Sequence, residues 1–346
     1  MEKHKHGGDI YSREIAMDYS ANISPLGLPR RSVEAIRASL ERLVHYPDVE
    51  CRSLRAMLSE KAGIPADFIL CGNGAAELIF ALANGCRPKK ALVAAPGFAE
   101  YEQALSGCGC EVFFYELKEE NGFAYQEDYL QKITEELDMV FLCNPNNPTG
   151  GTVDRPFLLA VAERCQACGC ILVVDECFNQ FLDQAECFTM KPYLEQYPDL
   201  VILDAFTKIY AMPGLRLGYC MTASESIRKN MRSVMQPWSV STLAQVAGEA
   251  ALEEEFYVDE VRTMIREERG FLEHEMRKMG LTVFPARANF IFFKGPEDLA
   301  ERLLERAILI RDCSNYRGLK KGYFRIAVRG HRENEALMQA FEEVLR

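Results

Sequence analysis

Between about residue 68 and residue 221 the chain alternates short apolar runs with amphipathic stretches, and this alternation constrains its fold most. The runs "ALVAAP" (91–96), "EVFFYEL" (111–117), "DMVFLCNP" (138–145), "CILVVDE" (170–176), "LVILDAF" (200–206) and "LRLGYCM" (215–221) predict buried strands. Helix-like segments such as "RPFLLAVAERCQACG" (155–169) separate several of them. Strands alternating with helices predict an α/β fold, with a mainly parallel sheet covered on both faces. Ligands of such sheets sit outside the carboxyl ends of the strands. Those ends are where chemistry is sought.

The last third has another texture. Residues 241–280 are mostly helical in pattern, and "LTVFPARANFIFFK" and "GYFRIAVR" predict strands before a final helix. The expected division is a large domain over 45–240 and a small α+β domain over 241–346, with residues 1–44 joining the small one. The 346 residues are 48% hydrophobic, enough for a sizeable core. A net charge of −11 argues against nucleic acid as a partner, and any anionic ligand needs locally placed cations. No run approaches the ~18 apolar residues of a membrane span. The 13 cysteines are an odd number without a disulfide framework, and the first residues lack an apolar signal core; both fit a cytoplasmic location. "CQACGC" (Cys165, Cys168, Cys170) has no second ligand pair, so no metal is expected there.

Four segments carry candidate chemistry. "FILCGNGAAELIF" runs from apolar residues into Gly72-Asn73-Gly74 and then a helix former series. Free N–H groups at that helix start suit an anion, with Gly74, Ala75 and Ala76 closest to it. Glu77 stands where a dinucleotide fingerprint needs glycine, which favours a single phosphate. "CNPNNPTGG" (143–151) follows a strand; its two Asn-Pro steps suit a rigid turn that presents Asn147, through a cis bond at one proline. "CILVVDECF" places Asp175 at a strand end, where it is either a helix cap or a buried carboxylate in need of a cation. "FTKIYAMPGLRLGY" (206–219) holds Lys208 and Arg216 in an otherwise apolar run. A lysine in such a setting has a lowered pKa and can form a Schiff base, and an arginine suits a phosphate. Pyridoxal 5′-phosphate (PLP) accounts for all four segments. Its aldehyde takes Lys208, its phosphate takes the Gly74 helix start and Arg216, its ring nitrogen takes Asp175, and its phenolate oxygen takes Asn147. On this reading Lys208 is an uncharged amine or tied into an imine, and Arg216 is paired.

"NPNNPTG", "DECF" and "FTKIYAMPGLRLGY", in this order, resemble the fold-type I PLP enzymes of the class I/II aminotransferase superfamily. The resemblance implies an aspartate-aminotransferase-like fold, with a seven-stranded sheet between helices. It implies that Phe98 stacks on the cofactor ring with Tyr101 nearby, and that Thr207 lies beside the cofactor. It implies a homodimer in which Tyr46 reaches the partner's cofactor phosphate. Arg325 would hold the α-carboxylate of a small anionic substrate, and Asn22 would lie beside it. "HGGDIY", "DYSANISPLG", "HYPD", "PGFAEY" and "IRDCSNYRGL" look most like the threonine-phosphate decarboxylases of cobalamin biosynthesis, with the histidinol-phosphate aminotransferases as close relatives. That branch makes His6 and Arg317 substrate candidates. The chain departs from the superfamily pattern at Ala205 and Ala75-Ala76, where hydroxyls are common, and at Phe178, where a tyrosine is common. Decarboxylation and transamination use the same residues, so the motifs leave the reaction open. A non-catalytic PLP-binding protein is the reading from another class.

Overall fold

The computed structural model describes residues 6–346. Seven strands form the large sheet: β1 (Ile69–Gly72), β2 (Lys90–Ala95), β3 (Glu111–Glu116), β4 (Met139–Cys143), β5 (Ile171–Asp175), β6 (Leu200–Ala205) and β7 (Gly218–Met221). Their order is β1-β7-β6-β5-β4-β2-β3. All neighbours pair in parallel except those of β7, which runs antiparallel to both β1 and β6.

Strand geometry sends successive side chains to opposite faces, and both faces are buried here. Leu92, Val140, Leu142, Leu172, Val174 and Ile202 pack in one core. Val93, Met139, Phe141, Val173, Val201 and Leu203 pack in the other. Continuous apolar runs are the consequence. The helix Arg155–Cys168 shows how the sequence punctuates the covering layer. Asp154 Oδ1 accepts the Phe157 N–H at 3.0 Å, and Pro156 sits in the first turn, where no donor is needed. Gly169 ends the helix at φ +70°, and the Cys170 N–H returns to the Cys165 carbonyl at 3.0 Å. The "CQACGC" stretch is thus a helix end, with Cys165 and Cys170 buried.

The C-terminal third contains helices Thr242–Leu252, Tyr257–Lys278 and His331–Leu345. Its antiparallel sheet runs Arg311–Asp312, Tyr323–Ala327, Phe290–Lys294, Thr282–Val283. Met17–Asp18 pairs in parallel with Ile308–Leu309, and the Ala327 N–H donates to the Tyr19 carbonyl at 2.8 Å. The N-terminal segment is therefore stitched to this sheet. Among the described residues no helix is long and apolar enough to cross a membrane.

One boundary differs from the sequence expectation. Leu215–Leu217 lie outside β7, which starts at Gly218. The chain turns outward at Pro213 and Gly214, both exposed, before entering the strand.

Candidate active site

The carboxyl ends of β1, β2, β4, β5 and β6 lead into segments that line a cavity of about 720 Å³. This size lies well within the range of small-molecule sites. Because β7 runs the opposite way, its entry lies at this same edge. Gly218 pairs with Ala205 on one side and with Gly72 on the other. Arg216, two residues earlier, is thereby brought to the cavity that Lys208 lines from the end of β6.

Asp175 ends β5 and is buried. Its Oδ2 accepts the Tyr101 hydroxyl at 2.5 Å and its Oδ1 accepts the Cys177 N–H at 3.0 Å. Desolvation still raises the carboxyl above the usual range, and the Cys177 and Tyr101 hydrogen bonds only oppose it. Tyr101 is fully buried and stacks on Phe141 with ring centroids 4.8 Å apart. Its hydroxyl orients Asp175, and it lines the cavity beside Phe98. Phe98 meets Tyr101 edge-on at 5.5 Å and lines the cavity.

Lys208 sits on the short helix Phe206–Ile209. Desolvation, and next the Arg325 guanidinium, lower its amine from 10.5 to about 8. At neutral pH about one free side chain in ten is then the amine. The lowered amine is the direction expected for a lysine in an apolar site. Thr207 lines the cavity beside it.

Gly74 opens the helix Gly74–Cys86 with φ +78°. A Cβ there would lie 2.5 Å from Arg216 Nη2, so only glycine lets the guanidinium rest on the helix start. Ala75 and Ala76 line the cavity at that start. Glu77 accepts the Asn73 N–H at 2.6 Å and the Ser239 hydroxyl at 2.9 Å, fixing the preceding turn. Arg216 itself is exposed at the cavity rim. Its apolar neighbours in sequence pack inward while the outward turn carries it to the rim. Among the described residues, Lys208, Arg216 and Asp175 form no ion pairs.

The "NPNNP" loop is held by its own amides. Asn144 bridges Val153 at 3.0 Å in both directions, and Asn146 donates to the Pro96 carbonyl at 3.1 Å. Both Asn–Pro bonds are cis. Asn147, thus presented, accepts a hydrogen bond from Arg325. Arg325 Nη2 also donates to the Ser20 carbonyl at 2.9 Å, while its buried Nε has no partner. Asn22 lines the same wall, and neither atom of its buried amide has a hydrogen-bond partner.

Arg311 was not singled out from the sequence. It is buried, lines the cavity and stands directly opposite Arg325 in the small antiparallel sheet. Its Nη2 donates to Asn315 Oδ1 at 2.9 Å and its guanidinium lies 5.0 Å from the Tyr316 ring centroid, so its own loop holds it at the cavity wall. Arg317, the expected cation of this segment, does not line the cavity. Its guanidinium lies 4.0 Å over the Phe114 ring and pairs with Glu102 at 2.5 Å. His6 lines the cavity, 3.4 Å from Glu100. Tyr46 does not line its own chain's cavity; it is 79% exposed and stacks on Trp238 at 4.6 Å. Among the described residues, no His, Cys, Asp and Glu cluster suits a metal ion.

A lysine, a carboxylate, an amide and an arginine at strand ends of a seven-stranded sheet define the aminotransferase architecture. The sequence profile of aminotransferase class I and II matches residues 14–342, and the chain belongs to that family. It is 39% identical to the threonine-phosphate decarboxylase of Salmonella typhimurium, across 98% of this chain and 96% of that one. It is 32% identical to the histidinol-phosphate aminotransferase of Symbiobacterium thermophilum, across 94% and 89% of the two chains. The crystal structure of the histidinol-phosphate aminotransferase from Clostridium acetobutylicum superposes with a TM-score of 0.89 at 30% identity, across 95% and 99%.

Proposed function

We propose that the chain binds PLP through Lys208 and decarboxylates L-threonine O-3-phosphate, as in cobalamin biosynthesis. The observation that carries the substrate half is the Arg311–Arg325 pair within one cavity of an acidic protein. An amino acid phosphate brings two anions, and histidinol phosphate brings one. The relative that is 39% identical is a threonine-phosphate decarboxylase, which supports the same choice. The cofactor half rests on three groups without counter-ions, each with a complementary atom on PLP. Asp175 suits the ring N–H, Arg216 and the helix start suit the phosphate, and Lys208 suits the aldehyde. Phe98 is placed to cover the ring, with Thr207, Ala75 and Ala76 near the phosphate. Asn147 serves the phenolate oxygen, Asn22 the substrate. Bound PLP supplies the electron sink for the bond broken at the substrate Cα. Asp175 keeps the ring nitrogen protonated. Arg325 and Arg311 hold the carboxylate and phosphate ends, which fixes the bond presented for cleavage. Lys208 then returns a proton to Cα. The division proposed is a PLP-binding domain over 45–240 and a small domain from 241–346 with 1–44.

Purified protein given O-phosphothreonine should release carbon dioxide and 1-aminopropan-2-yl phosphate. Glutamate formation from histidinol phosphate with 2-oxoglutarate comes from the reverse case, an aminotransferase. If the decarboxylase reading holds, neither 2-oxoglutarate nor histidinol phosphate is consumed. Arg311→Ala should raise KM for O-phosphothreonine on the order of 10–100-fold, since a charge-assisted contact is lost. An unchanged KM removes Arg311 from the substrate site.

The working unit proposed is a homodimer. Leu40, Leu43, Val44, Tyr46, Val49 and Trp238 are all exposed apolar side chains, and Tyr46 has no ligand-facing role in its own chain. Tyr46 would donate to the neighbour's cofactor phosphate. Arg216→Ala should then weaken PLP binding by about 1.5–3 kcal/mol and Tyr46→Phe by about 0.5–1.5 kcal/mol. An active monomer at micromolar concentration in sedimentation, or the opposite ranking of the two variants, contradicts this assembly.

A further inference from the structure

Three carboxylates line the cavity: Asp18, Glu100 and Asp175. Asp18 is bound by the Ser20 N–H at 2.8 Å and its hydroxyl at 2.6 Å, and Asp175 is oriented by Tyr101. Glu100 has no role in the chemistry above. It occupies the first turn of the helix Ala99–Gly107, one residue before Tyr101, and its side chain is 14% exposed. Oε1 lies 3.4 Å from His6 Nδ1, and Oε2 is buried without a hydrogen-bond partner.

The segment that carries His6 is pressed against Ser20, just beyond the Met17–Asp18 strand. A Cβ on Gly7 would lie 2.3 Å from the Ser20 carbonyl oxygen, so no larger residue fits. The Gly8 N–H donates to the Ser20 hydroxyl at 2.7 Å. The backbone thereby fixes where the His6 side chain begins, and Glu100 is the acid that meets it at the cavity wall. Desolvation raises the Glu100 carboxyl to about 7; Lys208 and Arg311 pull it down and Asp175 pushes it up.

We infer that Glu100 is a positioning residue for His6: it holds the imidazole at the cavity wall, where the ring faces the substrate. This rests on the reading of the cavity as the site of a phosphorylated substrate. Glu100 acts through His6 and does not itself touch the substrate.

The test uses the holoenzyme in four forms: wild type, Glu100→Gln, His6→Asn and the double variant. Two readouts are compared. In steady-state turnover of O-phosphothreonine, Glu100→Gln raises KM about tenfold and leaves kcat within about twofold. His6→Asn does the same, and the double variant is no worse than His6→Asn alone. Glu100→Asp recovers part of the loss. Without substrate, amide hydrogen exchange over residues 6–12 is about tenfold faster in Glu100→Gln than in wild type. Additive effects in the double variant overturn the inference, as does a rise in KM from Glu100→Gln with none from His6→Asn. Unchanged exchange over 6–12 overturns it also. If wild type does not turn over O-phosphothreonine, the functional reading falls, and the exchange comparison still decides the role of Glu100.

Discussion

Replacing Lys208 by alanine lowers turnover by on the order of 10⁴-fold and removes the borohydride-reducible link to PLP. On the proposed reading the lysine both tethers the cofactor and moves the proton at Cα, and Thr207 beside it offers only a hydroxyl. The absorbance of the purified variant, before and after borohydride, checks the tether, and product release checks the rate. A reducible imine with near-normal turnover assigns both roles elsewhere. The lowered amine adds a pH signature. Desolvation brings Lys208 to about 8. Reloading of wild-type apoprotein with PLP should therefore speed up from pH 7 and level off above about pH 8. An ordinary lysine, near 10.4, would keep gaining to about pH 10.

Asp175→Asn should cut turnover by on the order of 10²–10³-fold with saturating PLP, because a neutral amide no longer stabilises charge on the ring nitrogen. The fold tolerates the change. Two donors converge on the carboxylate, from Tyr101 at 2.5 Å and Cys177 at 3.0 Å. The amide oxygen can keep the Cys177 N–H while the Tyr101 hydroxyl turns to accept from Nδ2. The sign of the stability change follows from the raised carboxyl. A group whose folded pKa is raised gives its stabilisation below the unfolded value of about 3.9 and loses it as pH rises through the folded value. Above the unfolded value, desolvation of the Asp175 carboxylate therefore weakens the apoprotein. Asp175→Asn apoprotein should melt no lower than wild type at pH 7. Full activity in the variant, or a lower apoprotein Tm, contradicts this account.

Residues whose placement follows from local chain geometry were legible in the sequence. Asp175 and the Gly74 turn each sit where an apolar run stops, Lys208 and Asn147 within a few residues of one, and the architecture makes those stops converge. Residues whose role depends on pairing across the chain were not. Arg311 faces Arg325 through a strand register that no local pattern encodes, and Arg317, a few residues on in the same stretch, drew the expectation instead. Tyr101 was placed near the ring, while its bond to Asp175 depends on the spacing between β2 and β5. Arg216 stands among apolar neighbours in sequence, yet it is exposed. Composition does not show that Pro213 and Gly214 turn the chain outward. Glu100 lay inside a quoted motif and gained a partner only when the N-terminal segment was laid over the cavity.

The reversal of β7 has an evolutionary reading. Ala205 and Gly218 are cross-strand partners, so the stretch between them departs from and returns to one edge of a rigid sheet. Lys208 and Arg216 both ride on that closed excursion. Arg311 and Arg325 ride on a different sheet, to which the N-terminal segment is stitched. On the proposed reading, drift in the small sheet or the N-terminal segment can alter substrate contacts while Lys208 and Arg216 keep their places, with the Arg325–Asn147 hydrogen bond as the link between the two sets. Lineages that share this architecture can therefore diverge in substrate while inheriting the cofactor apparatus intact.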